Sequence, residues 1–151
     1  MTDAPIARVQ RVMPAAAEVV FDQWLDPESL AEWMCPHPVR VVDLTVEPRV
    51  GGTVRFDVDD SGSRALITGR FMAIDRPHLL RFTWSESDWA DLTAVSVVNV
   101  VFEPLGDDQT LMTIEHSLLP PDVFDDYQSG WVDVCDQLTE FLHRLRGVER
   151  Q

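Results

Sequence analysis

The stretch GWVDVCDQLTEFL, Gly130 to Leu142, decides which fold the rest of the chain can form. Its apolar residues recur at steps of three and four, which is the period of an amphipathic helix. The apolar stripe consists of Trp131, Cys135, Leu138, Leu142 and Leu145, with Val134 and Phe141 beside it. The opposite side is polar and carries Asp133, Asp136, Gln137 and Glu140. We predict one long helix, from Pro121 to Leu145, whose stripe must be covered by the rest of the chain.

The segments that cover this helix are predicted to form an antiparallel sheet. β-branched and aromatic residues alternate with polar ones in six segments, which are separated by turn-rich sequences such as Asp59-Asp60-Ser61-Gly62. The predicted strands are Val39 to Glu47, Thr53 to Val58, Ala65 to Ile74, Leu79 to Ser85, Thr93 to Glu103 and Thr110 to Ser117. Connections this short favour antiparallel pairing, because a parallel crossover needs about a dozen residues or more.

The N-terminal part of the chain adds one strand and two short helices. Ile6 to Met13 has the alternation of a strand, which Pro14 ends. Ala15 to Trp24 has helical spacing, and Asp26-Pro27 breaks that helix and offers an N-cap for a second helix through Trp33. The predicted class is therefore α+β, with the order strand, two short helices, six strands and one long helix.

Alternation within the strands indicates which side chains face the long helix. The inward sets are Leu80, Phe82 and Trp84; Val98, Val100 and Phe102; and Met112, Ile114 and His116. The other face carries Arg81, Thr83 and Asn99 and can meet water. Because an inward imidazole needs a hydrogen-bond partner, His116 is either a core histidine or a polar anchor in a ligand cavity.

Length, charge and cysteine content limit the classes of function. A chain of 151 residues with 45% apolar content has the size of one domain, which we assign to residues 1–151. A net charge of −14 disfavours nucleic acid and anionic membranes. No window approaches the ~20 apolar residues of a membrane span, and no signal peptide is recognised. We expect a cytoplasmic protein in which Cys35 and Cys135 are free thiols.

Three local patterns are interpreted as structural rather than chemical. Cys35 and His37 lack a second pair of ligands at a zinc-site spacing. Gly51-Gly52 lacks the Lys-Ser/Thr and the helix of a phosphate loop, and the acidic run Asp57 to Asp60 lacks the ligand series of a calcium loop. We predict no metal ion and no cofactor, and we assign no catalytic residue.

Five segments, in order, resemble one known family. They are VFDQWLDPESLAEW (Val20 to Trp33), EPRVGGTVRF (Glu47 to Phe56), GRFMAIDRPHLLRFTW (Gly69 to Trp84), VVFEPLGDDQTLMTIEH (Val100 to His116) and SGW (Ser129 to Trp131). Together they resemble the heat-shock-protein-90 ATPase activator homologue family of the START-like superfamily, which also contains polyketide cyclases, lipid-transfer domains and the birch pollen allergen. The resemblance implies a helix-grip fold, in which a curved antiparallel sheet wraps around the long C-terminal helix and a cavity lies between them.

The corner Trp33-Met34-Cys35-Pro36 departs from this family. Relatives often carry Trp-Trp-Gly-Pro there, so Met34 stands in place of a rigid aromatic wall. A methionine side chain is flexible and polarizable and can adapt to an apolar guest.

The chain has more large rings and methionines than a closed core of this size usually needs, and we predict that some of them line a cavity between sheet and helix. The predicted ligand-binding residues are Trp33, Met34, Phe56, Phe71, Met72, Phe82, Trp84, Met112, His116, Trp131, Cys135 and Leu138. On the helix, we expect Gly130 to allow close approach to the sheet and Trp131 to act as a clamp. The residues expected to roof the cavity are Val134, Cys135 and Leu138.

Three functions compete at this stage. The first is binding of a small hydrophobic molecule in the cavity. The second is an enzyme of the cyclase or lyase type, which requires a polar pair that the sequence does not locate. The third, implied by the family name, is interaction with a chaperone. The expected partner is a small hydrophobic molecule, with neither nucleic acid nor membrane insertion, and a homodimer is left open.

Overall fold

The computed structural model describes residues 5–149 and contains the predicted elements in the predicted order. The strands are β1 (Ala7–Met13), β2 (Val39–Val46), β3 (Thr53–Asp60), β4 (Ser63–Asp75), β5 (Leu79–Glu86), β6 (Ser96–Pro104) and β7 (Thr110–Ser117). The helices are α1 (Ala17–Gln23), α2 (Pro27–Trp33) and α3 (Phe124–Glu149), and a single 3-10 turn, Pro121–Val123, precedes α3.

Two element boundaries have identifiable causes. Asp26 caps α2 as predicted, since its side chain accepts a hydrogen bond from the backbone N–H of Glu28 at 3.0 Å. The strand predicted to start at Thr93 begins instead at Ser96. Both the N–H and the hydroxyl of Thr93 donate to one carboxylate oxygen of Asp91, which holds this segment in a turn.

All seven strands form one antiparallel sheet with the order β1-β7-β6-β5-β4-β3-β2. Neighbours in sequence are neighbours in the sheet, except that β1 pairs with β7. The helices α1 and α2 therefore connect the two edges of the sheet. Register shifts at Val41/Asp43 in β2 and at Phe71/Ala73 in β4 mark irregularities of the kind that bend strands. The result is the curved sheet of the helix-grip fold, which confirms the predicted fold class.

One glycine of the sheet is required by a close approach between strands. A Cβ atom built on Gly69 in β4 would lie 1.8 Å from the carbonyl oxygen of Thr83 in β5. The next residue, Arg70, donates its backbone N–H to the Thr83 hydroxyl at 2.9 Å. Only a residue without a side chain fits at this point, which is in the GRFMAIDRP segment that contributed to the family resemblance.

The core lies between the concave face of the sheet and α3. All three inward sets predicted from alternation are buried. On α3 the buried apolar residues are Trp131, Val134, Cys135, Leu138 and Leu142. Phe141 and Leu145 are partly buried, at the edge of the stripe. The ring of Trp24, after α1, stacks on that of Trp131 with centroids 6.2 Å apart.

Polar side chains of α3 attach the helix to the corner between α2 and β2 and to the edge strand β1. Gln137 donates to the carbonyl oxygens of Trp33 and Cys35 and accepts the backbone N–H of His37. On the other side Gln128 makes two hydrogen bonds to the backbone of Arg8 in β1. The corner between α2 and β2 is therefore fixed against the middle of α3 by three hydrogen bonds. Over residues 5–149, no helix has the length and apolarity needed to cross a bilayer.

Candidate functional site

A pocket of about 250 Å³ lies beside the N-terminal half of α3. Its other walls come from β3, β4 and β5, from the segment after β5, and from the corner between α2 and β2. The apolar lining residues are Met34, Cys35, Pro36, Val39, Val58, Ile67, Trp84, Trp89, Val123, Gly130, Trp131 and Val134. The polar lining residues are Glu86, Asp88, Asp126 and Tyr127. The site is thus a mainly apolar cleft with a small group of carboxyl and hydroxyl functions.

The structure brings only some of the predicted ligand-binding residues to this pocket. Met34, Trp84 and Trp131 line it. Eight others are buried in the core and are not lining residues: Trp33, Phe56, Phe71, Phe82, Met112, His116, Cys135 and Leu138. Most rings of the core instead contact one another, as do Phe71 and Phe82 at 5.8 Å. Most of the large aromatic side chains noted in the sequence therefore fill a closed core and do not line a cavity.

Two placements expected from the sequence are wrong. Met72 was expected to face the cavity, but its side chain is 49% exposed, because it follows the buried Phe71 in β4 and successive side chains of a strand point to opposite faces. Cys135 and Leu138 were expected to roof the cavity, but they lie in the closed core, and only Val134 of that group lines the pocket. The pocket is consequently one to two helical turns nearer the N-terminus of α3 than predicted.

Gly130 has a different role from the predicted one. A Cβ built on it would meet only Pro36 Cγ, at an ordinary contact distance of 3.6 Å, so close approach to the sheet does not require glycine here. Glycine inside a helix costs about 1 kcal/mol relative to alanine. Its missing side chain leaves room in the pocket, between α3 and the corner at Pro36.

His116 is a fully partnered core histidine. The indole N–H of Trp131 donates to its Nδ1 at 3.0 Å, so that Nδ1 must be unprotonated. The proton of the neutral ring is then on Nε2, 2.7 Å from the Ser96 hydroxyl oxygen. That hydroxyl donates in turn to the carbonyl oxygen of Trp84. Burial lowers the pKa of His116 to about 3, so the imidazole stays neutral and is no acid or base near neutral pH.

The titratable group that does line the pocket is Glu86, at the end of β5. Burial raises its pKa to about 8, and a hydrogen bond to Asp88 adds to the shift. Tyr127 also lines the pocket, and its hydroxyl oxygen accepts the indole N–H of Trp84 at 2.9 Å. Glu86 is therefore mostly protonated at neutral pH, and it lines the pocket together with Asp88. This is the polar pair that the sequence did not locate.

Sequence reasoning missed Glu86 for an identifiable reason. The predicted strand ended at Ser85, one residue before the true end of β5. Continuing the inward set Leu80, Phe82, Trp84 by one more step places Glu86 on the same face. Tyr127 carried a similar signal, because it precedes Trp131 by four residues on α3 and so shares its face. The segment with Asp88 and Trp89 gave no periodic signal.

Neither cysteine has the surroundings of a reactive thiol. Both are buried and free, and burial raises the pKa of each to about 12. His37, the other half of the Cys35–His37 pattern, is exposed. Within the part of the chain that the structure describes, no group of three His, Cys, Asp or Glu side chains is placed to hold a metal ion.

The curved sheet around α3, with a pocket between them, defines the START-like class of proteins. Within that class the chain belongs to the family described as activator of Hsp90 ATPase homolog 1-like protein, whose model matches residues 14–143. The family resemblance seen in the sequence is thereby confirmed. Among curated proteins, none matches the chain significantly.

Solved structures of bacterial proteins share the fold. A protein from Chromobacterium violaceum is 23% identical over 91% of this chain and 96% of its own, with a TM-score of 0.80. The AHSA1 protein from Silicibacter pomeroyi is also 23% identical, over 92% of this chain and 98% of its own, with a TM-score of 0.81. A protein of the dynemicin biosynthetic locus, DynU16, is 21% identical with a TM-score of 0.72. The match covers 91% of this chain and 47% of DynU16.

Proposed function

We propose that this protein binds a small, mainly apolar molecule in the pocket beside the N-terminal half of α3. The observation that carries the proposal is the pocket itself, a cleft of about 250 Å³ whose walls are mostly apolar and aromatic. Binding sites for small molecules commonly combine such walls with a few convergent polar groups. Glu86, Asp88 and Tyr127 are the convergent polar groups here.

The size of the pocket limits the ligand. Pockets for drug-sized molecules span about 300–1,000 Å³, so this one fits a smaller molecule, with a body of one or two rings or an equivalent alkyl group. Gly130 supports a binding role, because a helix interior retains glycine at a cost and the space it leaves belongs to the pocket.

A titration with an environment-sensitive apolar dye tests the proposal, with tryptophan emission as a second signal because Trp84, Trp89 and Trp131 line the pocket. Saturable binding to the native protein is expected. Gly130→Leu should fill the pocket and reduce the affinity by at least about tenfold, which corresponds to about 1.4 kcal/mol.

Gly130→Ala is the matched control for that variant. Its single methyl group meets only Pro36 at 3.6 Å, so binding should persist while the helix gains up to about 1 kcal/mol of stability. Non-saturating association with the wild type, or equal affinity in wild type and Gly130→Leu, would refute binding at this pocket.

The enzymatic alternative is favoured by one observation, the half-buried carboxyl group of Glu86 on the pocket wall, whose pKa burial raises to about 8. A carboxyl group with a pKa near 8 is suited to donate a proton near neutral pH. Native mass spectrometry of freshly purified protein would detect a co-purifying molecule and give its mass, and the identified molecule would then be tested as a substrate. Conversion of that molecule by the wild type but not by Glu86→Gln would identify an active site, whereas an unchanged molecule with both proteins would leave binding as the function.

A further inference from the structure

We infer that the ligand of this pocket is a small organic cation, an amine or quaternary ammonium compound with an aromatic or alkyl body. The inference rests on the proposed function and goes beyond it by naming the charge of the ligand. It follows from the charges, the rings and the protonation of the pocket walls.

The charges on the pocket walls are all of one sign. Glu86, Asp88 and Asp126 contribute carboxyl groups from two different elements, and among the described residues that line the pocket none is basic. Asp88 and Asp126 are exposed, whereas Glu86 is half-buried. An anionic ligand such as a fatty acid would meet only like charges here, which is unfavourable in a partly desolvated cleft.

The positive end of the α3 helix dipole does not cancel the negative charge of the pocket walls. A helix N-terminus carries a partial positive charge of about half an elementary charge. The first turn of α3 holds two full negative charges, Asp125 and Asp126, which outweigh it. The net charge of −14 adds a long-range field that also attracts cations.

The aromatic walls fit a cation as well as an apolar body. Trp84, Trp89, Trp131 and Tyr127 all line the pocket. Tyr127 contacts Trp84 and Trp89 at centroid distances of 6.2 and 6.0 Å, and Trp84 contacts Trp131 at 5.7 Å, so the four rings form one continuous wall. Groups of aromatic rings of this kind bind ammonium ions through their π faces, and tryptophan binds them best.

The proton held by Glu86 reduces the negative charge of the pocket when no cation is bound. The groups that act on Glu86 are Asp88 beyond β5, Tyr127 on α3 and Asp60 at the end of β3, and none of them is a cation. Protonation of Glu86 relieves the repulsion among the carboxyl groups. A bound ammonium ion would supply the missing positive charge instead, so that Glu86 releases its proton as the cation binds.

Calorimetric titration with three matched probes tests the inference: 2-naphthylmethylamine, 2-naphthylmethanol and 2-naphthoate. At pH 8 the amine should bind at least about tenfold more tightly than the alcohol, and the carboxylate should bind most weakly. Between pH 6 and pH 8 the affinity for the amine should rise by up to about tenfold per unit, because one proton is released. The affinity for the alcohol should stay constant.

Glu86→Gln keeps the shape of the side chain and removes its charge. At pH 8 this variant should bind the amine at least about tenfold more weakly than the wild type does. Its affinity for the amine should no longer depend on pH, and its affinity for the alcohol should equal that of the wild type. Asp133→Asn is the control, because Asp133 is an exposed carboxylate on the same helix that does not line the pocket.

The possible outcomes separate the inference from the proposed function. Equal binding of amine and alcohol, or preference for the carboxylate, overturns the inference and leaves apolar binding intact. Loss of amine binding in Asp133→Asn equal to that in Glu86→Gln also overturns it, because the attraction would then be a general surface effect. If the apolar dye and all three probes fail to bind, the proposed function falls together with the inference.

Discussion

His116 shows how one residue type can suit two interpretations until its contacts are known. Its Nδ1 accepts from Trp131 and its Nε2 lies 2.7 Å from Ser96, so both ring nitrogens are used inside the core. Of the two interpretations that the sequence left open, these contacts match the core histidine with hydrogen-bond partners. The polar anchor of the pocket would instead be Glu86, which lines it.

Replacing His116 with leucine is expected to destabilise the fold without weakening ligand binding. His116→Leu leaves the buried indole N–H of Trp131 without an acceptor, which costs about 1–3 kcal/mol. Because His116 does not line the pocket, dye affinity should not change. Urea midpoints and dye titrations of the variant check both expectations. Reduced dye affinity at unchanged stability would show that the histidine contacts the ligand.

Glu86 is expected to make the protein less stable as the pH rises. Its pKa is about 8 in the folded protein against an ordinary 4.5, so the folded state binds the proton more tightly than the unfolded state. Its contribution to stability is complete below about pH 4.5 and is lost as the pH rises to about 8. His116 acts in the opposite sense, since its lowered pKa costs stability as the pH falls from 6.5 towards 3.

Glu86→Gln isolates the first of these effects. The stability of the variant relative to the wild type should increase between pH 5 and pH 9, because only the wild type acquires a partly buried charge. Urea midpoints at pH 5, 7 and 9 measure the difference, and Asp133→Asn should show a constant difference over the same range. Parallel profiles for wild type and Glu86→Gln would contradict the raised pKa.

At the scale of elements, α3 has two halves with different tasks. The N-terminal half carries Tyr127, Gly130, Trp131 and Val134 on the pocket wall. The C-terminal half carries Leu138 and other residues of the closed core. Gln137, between the two halves, holds the α2–β2 corner that lines the pocket.

Truncations in the two halves of α3 should have different costs. Leu138→Ala opens a void in closed packing and should cost about 2–5 kcal/mol. Val134→Ala should cost less than about 2 kcal/mol, because the atoms it removes border existing space, and it should widen the range of dyes accepted. Denaturant midpoints and dye titrations provide the comparison. A larger penalty at Val134 than at Leu138 would mean that the pocket closes in solution.

At the scale of the whole molecule, the pocket exists only when the chain is folded. Its walls come from segments as far apart as Met34 and Val134, which the sheet and α3 bring together. A ligand of the pocket therefore binds the folded state and not the unfolded chain, and it must raise the free energy of unfolding.

Saturating dye is expected to stabilise the protein against urea. At a free concentration of one hundred times Kd the gain should be about 2.7 kcal/mol, with the urea m-value unchanged. Unfolding curves with and without dye measure it, and Gly130→Leu should show a much smaller gain. Equal gains for the two proteins would place dye binding outside the pocket.

Local periodicity in the sequence was enough to predict the order of the elements and their α+β class, whereas the helix-grip arrangement was implied by the family resemblance. Three predicted features each depend only on neighbours within a few residues, and the structure confirms all three. They are the apolar residues that recur every three or four positions in GWVDVCDQLTEFL, the alternation in β5 to β7, and the helix cap at Asp26. The inward face of each strand follows from the same local rule. Fold class and most of the core could therefore be derived without any tertiary information.

The pocket was decided only by the tertiary structure. Whether an inward side chain meets another side chain or empty space depends on how α3, the sheet and the α2–β2 corner are placed, and Gln137 holds that corner against α3. The environment of Glu86 likewise depends on Asp88 and Tyr127, which approach it from different elements. Periodicity specifies the direction of a side chain, whereas an unfilled volume and the raised pKa of Glu86 depend on several distant segments at once.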